Sequence, residues 1–373
     1  MSKQQQRQEL LEAYPQTLAL ENKRKFTGRL LKWFDCNARD LPWRKRKTPY
    51  RIWISEIMLQ QTQVATVIDY YLRFMKRFPN VKKLAAADQS DVLKMWEGLG
   101  YYRRARQLHK AAQEIVSNHN GKFPTEFDDV LALPGIGRYT AGAILSISKD
   151  QQLPIVEGNT IRLYARLLQM ESDPKTSAAQ KQLWRFAEAI VPPKRSGDFN
   201  QALMELGNRI CKPKSPLCES CPVSSLCPTF VRGLQAEIPA PSKKMKYEDI
   251  TEAIVLVRRN GKFLVRQCGE GERWTGLWDF PRYEVNGKNA RQILEQQLQQ
   301  STGITAEISP LNKTIRHAVT RYRITLKCFS AENVTGRVSR DSQAKWLSPK
   351  KLAQLPMSVT GRKICQSLDD LDL

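Results

Sequence analysis

The sequence predicts two domains, one all-helical and one of mixed α and β structure. With 373 residues, 41% of them hydrophobic, the chain is long enough to bury two cores. From residue 23 to about residue 230 the apolar residues recur at helical spacing. Beyond a proline-containing stretch they form the β-branched runs that are typical of strands. The change of period predicts a domain boundary there.

Helical periodicity is clearest between residues 64 and 78. Apolar side chains there recur every three or four residues and mark one face of an amphipathic helix: Val64, Val67, Ile68, Tyr71, Leu72, Met75 and Phe78. Glycine and proline residues separate this helix from further short ones, and no strand-like alternation interrupts them. We therefore expect an all-α domain over residues 23–234, preceded by a polar, flexible N-terminus at residues 1–22.

The C-terminal part has the signals of an α+β domain. Residues 235–248 contain Pro239 and Pro241 and are expected to form a linker. After them, two β-branched runs flank Asn260-Gly261, which is a strong hairpin signal. A further strand is expected at Tyr322–Phe329 and a helix over residues 288–301. The second domain is thus expected at residues 249–373.

The net charge indicates an anionic partner. Sixty lysines and arginines against 37 acidic residues give a formal charge of +23, and nucleic acid is the commonest partner of such a chain. A solvated basic face is the alternative explanation. No apolar run reaches the roughly 20 residues that span a bilayer, and the N-terminus lacks a signal-peptide core. We expect a cytoplasmic, nucleoid-associated protein with no membrane partner.

Four of the eight cysteines lie close together. Cys211, Cys218, Cys221 and Cys227 are separated by six, two and five residues, with prolines between them that favour a tight loop. Four thiolates without a histidine suit either zinc or a [4Fe–4S] cluster. Zinc sites usually pair their cysteines as two CxxC knuckles, and only one is present here. The spacing of loop 211–227 therefore favours the iron–sulfur cluster and leaves zinc open.

A glycine-rich turn stands at Leu133–Gly142. Gly135 and Gly137 would let backbone N–H groups approach a phosphate closely, at the beginning of a helix whose dipole favours negative charge. This is a helix–hairpin–helix signature, which grips the DNA backbone without reading its sequence. Many similar turns merely connect helices. Because the cysteine loop follows this one some seventy residues later, the two motifs together are more specific than the turn alone.

Taken together, these motifs resemble the MutY-type adenine glycosylases of the endonuclease III superfamily. The matching stretches, in chain order, are Leu41-Pro42-Trp43-Arg44, the string Trp-Ile-Ser-Glu-Ile-Met-Leu-Gln-Gln-Thr-Gln-Val from Trp53 to Val64, Gly98-Leu99-Gly100-Tyr101-Tyr102, the glycine hairpin and the cysteine loop. The resemblance is dense over residues 25–230 and looser beyond. It implies a helix–hairpin–helix glycosylase domain with a [4Fe–4S] cluster.

The resemblance also implies a substrate. Family members act on double-stranded DNA in which adenine is mispaired with 8-oxoguanine or guanine, and they flip the adenine out of the stack. By that resemblance Gln60 and Tyr101 would lie at the DNA wedge, where a planar or amide side chain offsets part of the unstacking cost. Tyr102 is better explained as a core aromatic. A protein that clamps one lesion needs no dimer, so we expect a monomer.

Two carboxylates are expected to do the chemistry. Breaking a purine–sugar bond requires a proton on the departing base and negative charge near an oxocarbenium-like sugar. Glu56 lies among apolar residues that would raise its pKa, and its position matches the family's general acid. Glu157 stands where the family has aspartate; either the pocket has adapted to the extra methylene or activity is reduced. Tyr139 and Asn159 match positions that orient this second carboxylate.

Tyr139 also bears on the type of glycosylase. Bifunctional relatives carry a lysine there that attacks the sugar through a Schiff base, and a tyrosine cannot do so. The resemblance therefore implies a monofunctional enzyme. Trp43, Arg44 and Glu205 are expected to line the pocket for the extruded base.

The C-terminal domain resembles a Nudix fold that has lost its hydrolase metal site. Gly276-Leu277-Trp278-Asp279-Phe280-Pro281 matches the fold, but glutamines replace the magnesium-binding glutamates at residues 296–300. In the family this domain inspects 8-oxoguanine with a Phe-Ser-His loop. Here Val319-Thr320-Arg321 stands at that place, so Thr320 keeps a hydroxyl while the aromatic and the histidine are gone. An ordinary strand edge is the alternative.

Two other functions remain open on the sequence alone. The chain could excise a different mispaired base, or it could be a lesion-binding protein whose chemistry has decayed through the change at Glu157. A panel of mispaired duplexes separates the first alternative from adenine excision. Binding without base release identifies the second.

Overall fold

A computed structural model describes residues 20–240, 246–285 and 289–368 of the chain. The chain divides into two compact units, Met1–Ala86 with Gln107–Lys243, and Ala87–Arg106 with Lys244–Leu373. Residues 1–19 of the expected flexible N-terminus and residues 241–245 of the expected linker lie outside the described residues. Residues 20–22 are helical, because the first helix begins at Leu20.

In its described residues, the first unit consists of helices and two short 3-10 turns. The helices are α1 Leu20–Asn37, α2 Pro42–Lys45, α3 Pro49–Leu59, α4 Val64–Arg77, α5 Val81–Ala85, α7 Arg103–Asn118, α8 Phe127–Ala132, α9 Arg138–Lys149, α10 Gly158–Leu167, α11 Ser177–Ile190, α12 Ser196–Arg209 and α13 Pro228–Val231, and the turns are Cys218–Ser220 and Ser224–Leu226. The first four residues of α7 belong to the second unit. The all-α prediction is confirmed.

Helix α4 buries a face that differs slightly from the predicted one. Val67, Tyr71, Met75 and Phe78 are buried as expected, whereas Leu72 is 51% exposed. Phe74 takes its place and is fully buried, with its ring 4.9 Å from that of Phe78. A helix turns 100° per residue, so a stripe that contains positions 67, 71, 75 and 78 passes closer to position 74 than to position 72.

Helix α3 is the most deeply buried helix around the site described below. Thr48 caps its N-terminus by accepting a hydrogen bond from the Arg51 amide, and Pro49 opens its first turn, where no amide donor is needed. Tyr50 and the seven consecutive residues from Ile52 to Met58 are buried, and Arg51 between them is half-buried. Such a helix can hold a polar side chain away from water.

The second unit is built on a mixed seven-stranded sheet. Its strands are β1 Glu248–Arg259, β2 Lys262–Gln267, β3 Trp278–Asp279, β4 Arg282–Glu284, β5 Ile304–Val319, β6 Tyr322–Gly336 and β7 Ala344–Leu347. The main order is β3-β2-β1-β6-β5, with β4 paired to β1 and β7 paired to β2. Strands β1 and β6 are parallel, and the remaining pairs are antiparallel.

Strand β1 is central, and alternate side chains point to two cores. Ala253, Val255 and Val257 join one cluster with Leu294 and Leu298 of helix α14, Ala290–Thr302. Ile254 and Leu256 join the other cluster, which includes residues of α15 Pro349–Leu352 and α16 Val359–Gln366. Helices therefore cover both faces of the sheet, as continuous apolar strands require.

Several sequence predictions for this unit are confirmed. Asn260 and Gly261 both have positive φ, 50° and 69°, and join β1 to β2 as a two-residue turn. Helix α14 covers the predicted helix from Ala290 onward, and the predicted strand at Tyr322 is the first half of β6. The α+β fold class is thus confirmed.

The segment Ala87–Arg106 differs from expectation. The sequence placed it inside a contiguous helical domain, but its helix α6, Gln89–Trp96, packs within the second unit. Arg106 donates a hydrogen bond to the Thr275 carbonyl at 2.7 Å, and Leu93 lies beside Gly276. These contacts join residues far apart in the chain, so local periodicity carries no sign of them. Across the described ranges, no helix is both long enough and apolar enough to cross a bilayer.

Helices α9 and α12 approach each other most closely at Gly197. A Cβ added there would lie 2.3 Å from the Ser146 carbonyl oxygen and 2.7 Å from the Ile147 Cα. Both neighbours are backbone atoms, so neither can rotate away. Close packing at this point brings together the two helices that carry Tyr139 and Glu205.

We expect Gly197→Ala to lower the free energy of unfolding by ~2 kcal/mol or more, because the helices must separate. The measurement is urea unfolding followed by helical circular dichroism. Gly28→Ala is the matched control: Gly28 is exposed within α1 with nothing within 4 Å of an added Cβ. Its substitution should stabilise by roughly 0.5 kcal/mol. Equal stability of the two variants would contradict the proposed close approach.

Candidate active site and iron–sulfur loop

The first unit contains a cavity of about 410 Å³. It is large enough to hold a nucleobase and part of a sugar, and its wall mixes apolar residues with a few charged ones. Its lining residues include Leu41, Trp43, Arg44, Ile52, Glu56, Leu59, Gln61, Thr62, Gln63, Tyr139, Glu157, Asn159, Gln201, Met204 and Glu205. Seven predicted site residues, from five helices and their caps, therefore meet in one place.

Glu56 is the buried acid of this cavity. It lies on α3, is only 5% exposed, and accepts a hydrogen bond from the Tyr139 hydroxyl at 2.6 Å. Burial raises the pKa of Glu56 to about 7, and the nearby Glu157 carboxylate adds to the increase. The Tyr139 hydrogen bond and the Arg44 charge oppose it. Glu56 can therefore hold a proton near neutral pH and release it again.

Tyr139 remains a neutral phenol near neutral pH. It follows Gly137, the N-cap of α9, and its hydroxyl also lies 3.3 Å from the Met204 sulfur. Burial and the two nearby carboxylates raise the pKa of Tyr139 well above its ordinary value. The phenol thus acts as a fixed hydrogen-bond donor to Glu56.

Glu157 is the second carboxylate, and it also caps a helix. Its side chain accepts from the Thr160 amide at 3.0 Å, and the Thr160 hydroxyl accepts from the Glu157 amide at 2.8 Å, which makes a reciprocal capping box at the start of α10. Burial raises the pKa of Glu157, while hydrogen bonds from the Asn159 and Thr160 amides lower it. The cap fixes the carboxylate against the cavity.

Glu205 is ion-paired to two arginines. It is 1% exposed and accepts from Arg39 at 2.9 Å and from Arg44 at 2.8 Å. Arg44 also donates to Gln201 at 2.9 Å and lies over the Phe34 ring. Because its guanidinium is held on several sides, Arg44 presents a fixed positive charge to the cavity. Trp43, packed edge-on to Tyr71, forms an apolar part of the wall.

Helix α10 connects this cavity to the cysteine loop. Arg162 donates to the Asn159 side chain at 3.0 Å and to the Cys211 carbonyl at 2.6 Å. One turn further, Arg166 donates to the Cys211 sulfur at 3.2 Å and to the Lys212 carbonyl at 2.9 Å. Neither arginine was predicted from the sequence. They lie 49 and 45 residues before Cys211, and their spacing of four residues on one helix is the only local signal they carry.

The four loop cysteines line one small cavity, together with Arg166. None of the four forms a disulfide, and burial raises the pKa of Cys221 to about 12, with the neighbouring thiols adding to the shift. In the described ranges no three His, Cys, Asp or Glu side chains converge closely enough to hold a single ion. Four thiols around a shared space, with a cation donating to one sulfur, suit a cluster whose metal charge displaces the thiol protons.

Five other predicted residues lie outside the cavity lining. Gln60 ends α3, and its amide donates to the Thr140 hydroxyl at 3.5 Å, while Gln61 beside it lines the cavity. Gly135, with φ of 77°, and Gly137 precede α9 in the first unit. A Cβ at Gly135 would lie 2.7 Å from that of Gln107, so the turn requires glycine there.

Tyr101 and Thr320 belong to the second unit. Tyr101 is 48% exposed with φ of 48°, in the left-handed region that an aromatic residue rarely adopts. Thr320, with φ of 50°, is at the exposed tip of the β5–β6 hairpin, and its hydroxyl donates to its neighbour's carbonyl. The adjacent Arg321 pairs with Glu248 and lies against Tyr322.

Comparisons with known proteins identify the domain families that the chain matches. A model of the HhH-GPD superfamily of base excision DNA repair proteins matches residues 54–189. The iron-sulfur binding domain of endonuclease III matches residues 211–227, and a NUDIX domain matches residues 253–367. These matches define the class: a helix–hairpin–helix base excision repair protein with an iron–sulfur loop and a Nudix-like domain.

Relatives that match most of the chain show which family within this class the chain belongs to. The chain is 34% identical to the adenine DNA glycosylase of Rattus norvegicus, over 91% of this chain and 77% of that protein. It is 44% identical to the Homo sapiens enzyme of the same name, over 91% of this chain and 73% of that protein. The chain therefore belongs to the adenine DNA glycosylase family. A solved thermostable thymine-DNA glycosylase is similar over 57% of this chain and 99% of its own, with 30% identity and a TM-score of 0.52.

We expect Tyr139→Phe to raise the pKa of Glu56 above about 7, because the lost hydrogen bond stabilises the ionised carboxylate. A ¹³C NMR titration of the glutamate carboxyl groups measures this, with Glu56→Gln to assign the signal. Tyr50→Phe is the control, since the Tyr50 hydroxyl lies on the same helix but donates to the Phe78 carbonyl. An unchanged or lower pKa in Tyr139→Phe would contradict the assignment.

We expect about four iron atoms per chain and no stoichiometric zinc in protein purified without added metal. Cys218→Ser should lose most of the iron and the visible absorption of the cluster. The matched control Cys36→Ser, at an exposed cysteine outside the loop, should keep both. Elemental analysis that finds one zinc and no iron would overturn the cluster assignment.

Proposed function

We propose that this chain removes adenine mispaired with 8-oxoguanine or guanine from double-stranded DNA, as a monofunctional N-glycosylase. One observation carries the proposal: Glu56, with its pKa near 7, and the capped Glu157 line the same 410 Å³ cavity. Family membership supports the base that leaves, because the relatives are named adenine DNA glycosylases.

Glu56 supplies the proton. In its protonated form it transfers the proton to N7 of the extruded adenine, while the electron pair of the C1′–N9 bond moves onto the base and the bond breaks. The carboxylate that remains then takes a proton from water as the water oxygen attacks C1′. The Tyr139 hydroxyl donates to Glu56 and so favours the carboxylate produced by the first step.

Glu157 stabilises the sugar cation. Its negative charge lies at the cavity wall and is oriented by the Thr160 amide, so it need not reorganise as positive charge develops on the ring. The Glu157 side chain is one methylene longer than the family's aspartate, and the capping box with Thr160 holds its carboxylate in place. Tyr139 carries no amine and forms no Schiff base with C1′, so the product is an abasic site in an unbroken strand.

Three groups are proposed to contact the DNA. The Gly135–Gly137 turn and the N-terminus of α9 bind backbone phosphate, helped by the net charge of +23. Gln60 and the exposed Tyr101 enter the base stack and offset its opening. Trp43 and Arg44 form walls for the extruded adenine.

The base opposite adenine is proposed to be inspected by Thr320. A hydroxyl at an exposed hairpin tip suits a hydrogen bond to 8-oxoguanine. Val319 and Arg321 offer less stacking than the aromatic and histidine of the family, so discrimination between 8-oxoguanine and guanine should be weaker than in the family at large. We further propose that the protein acts as a monomer at the nucleoid in the cytoplasm.

Single-turnover assays on mispaired duplexes test the proposed function. We expect fast adenine release opposite 8-oxoguanine, slower release opposite guanine, and strand breaks only after alkali. The rate should fall as pH rises through about 7, because Glu56 then loses the proton it must donate. Glu56→Gln should abolish release while duplex binding survives.

Three outcomes would redirect the proposal. Release of thymine opposite guanine instead of adenine would assign the chain the activity named for the solved thymine-DNA glycosylase. Tight binding without base release at any pH would make it a lesion-binding protein. Undiminished release by Glu56→Gln would remove Glu56 from the role of acid.

We expect Glu157→Asp to slow adenine release by up to about a hundredfold, because its carboxylate retreats by roughly 1 Å. Glu157→Gln should slow it as well by removing the charge, although the amide oxygen can still cap α10. Thermal unfolding of both variants should stay within a few degrees of the parent. A faster aspartate variant would show that the glutamate impairs this site.

A further inference from the structure

The segment that carries Tyr101 is anchored in the second unit by a shielded cluster of charges. Its helix α6 ends at Trp96, and Glu97 follows as the C-cap, directly before the loop Gly98–Tyr102. Arg362 on α16 donates to the two Glu97 carboxylate oxygens at 2.5 and 3.2 Å. The two side chains are only 13% and 16% exposed. A two-pronged pair shielded from water is better oriented and less screened by salt than a surface ion pair.

Lys94 completes the anchor. Its ammonium donates to Glu97 at 2.8 Å and to the carbonyls of Ala353 and Leu355 at 3.0 and 3.1 Å. Arg362 donates to the carbonyls of Leu352 and Leu355 as well. Lys94 and Arg362 thus share the Glu97 carboxylate, and together they donate four hydrogen bonds to backbone carbonyls at Leu352, Ala353 and Leu355. These contacts fix the end of α6 to the turn after α15. At the other end of the segment, Arg106 is bound to the Thr275 carbonyl.

The loop beyond Glu97 is tightly folded and strained. Gly98, Gly100 and Tyr101 all have positive φ, of 99°, 73° and 48°. The left-handed conformation costs a residue such as Tyr101 roughly 1–2 kcal/mol and persists only if the surroundings enforce it. The enforcing contacts come from the base of the loop: the Trp96 indole and Arg104 both donate to the Gly100 carbonyl, at 3.1 and 3.2 Å.

Arg104 connects those contacts to Tyr101 itself. Its guanidinium lies 5.4 Å from the Trp96 ring centroid and 5.5 Å from the Tyr101 ring centroid. The exposed tyrosine therefore lies against Arg104, which in turn lies against Trp96, the last residue of α6. A shift of that helix end would move the loop and the tyrosine with it.

We propose that the Glu97–Arg362–Lys94 anchor positions the Tyr101 loop for insertion into DNA, with Arg362 as a positioning residue. The C-terminal part of the chain then contributes to opening the base stack in addition to inspecting the opposite base. This inference rests on the DNA role proposed for Tyr101 above. It adds residues that no motif of the N-terminal half contains.

Hydrogen exchange in the free protein tests the anchor without reference to catalysis. Arg362→Ala and Glu97→Gln should make the amides of residues 98–102 exchange roughly tenfold faster or more, since local opening becomes easier. Arg362→Lys should have a smaller effect, because it keeps the charge and loses the two-pronged geometry. Arg323→Ala is the matched control: it breaks the Arg323–Asp249 pair of the same unit, whose side chains are 59% and 71% exposed. Unchanged exchange of the loop in Arg362→Ala overturns the proposal.

Single-turnover kinetics test the consequence. Arg362→Ala should slow adenine release roughly tenfold or more. It should also reduce the increase in fluorescence of a 2-aminopurine placed beside the mispair, because that increase reports unstacking of the bases. If Arg362 acts through Tyr101, Arg362→Ala combined with Tyr101→Ala should be no slower than Tyr101→Ala alone. The proposal is overturned if the double variant slows adenine release by the product of the two single effects. It is also overturned if Arg362→Ala releases adenine at the normal rate although the amides of residues 98–102 exchange faster.

Failure of the underlying function gives a different result. If Tyr101→Ala releases adenine and perturbs 2-aminopurine like the parent, the DNA role of Tyr101 is wrong, whatever the exchange data show. If no variant and not even the parent releases adenine, the proposed function itself fails. The exchange of residues 98–102 still decides whether Arg362 anchors the loop in that case.

Discussion

The hydrogen bond from the Tyr139 hydroxyl to the buried Glu56 carboxyl is the constraint around which the first unit is organised. Removing a carboxyl group from water raises its pKa towards neutrality, and a single donor then moderates the increase. Keeping that geometry requires α3 to be buried along almost its whole length and α9 to start beside it. The close approach at Gly197 in turn holds the helix that presents Met204 and Glu205.

A second set of contacts ties the chemistry to the iron–sulfur loop. Glu157 and Asn159 begin α10 at the cavity, and Arg162 and Arg166 on the same helix reach the carbonyl and sulfur of Cys211. The cluster, when bound, cross-links four cysteines of one loop and so fixes the carbonyls that the arginines use. A cluster bound in the loop would support the position of these side chains, whereas the proposed proton transfer and charge stabilisation are assigned to Glu56 and Glu157.

Much of this was predictable from local sequence, and the exceptions have physical causes. Glu56 stands in an apolar string whose pattern predicts burial, and the cysteine spacing predicts one loop. Leu72 was expected on the buried face of α4, but Phe74 is buried there instead. The spacing of apolar residues shows that a helix has one apolar side, but the residues at the edges of that side are buried or exposed according to the neighbouring elements. The grouping of residues 87–106 with the C-terminal unit depends on Arg362 and Thr275, which are more than 160 residues distant.

The sequence by itself determined the two fold classes, the family and the iron–sulfur loop, and it predicted both carboxylates that line the cavity. Those properties follow from residue type and short-range spacing, which a single chain displays. Tertiary structure alone decided that Glu205 pairs with two arginines, that Glu157 also caps a helix, and that Glu97, directly before the Tyr101 loop, pairs with Arg362 of α16. Ion pairs, desolvation and backbone strain depend on neighbours brought together by folding, and no local pattern records those neighbours.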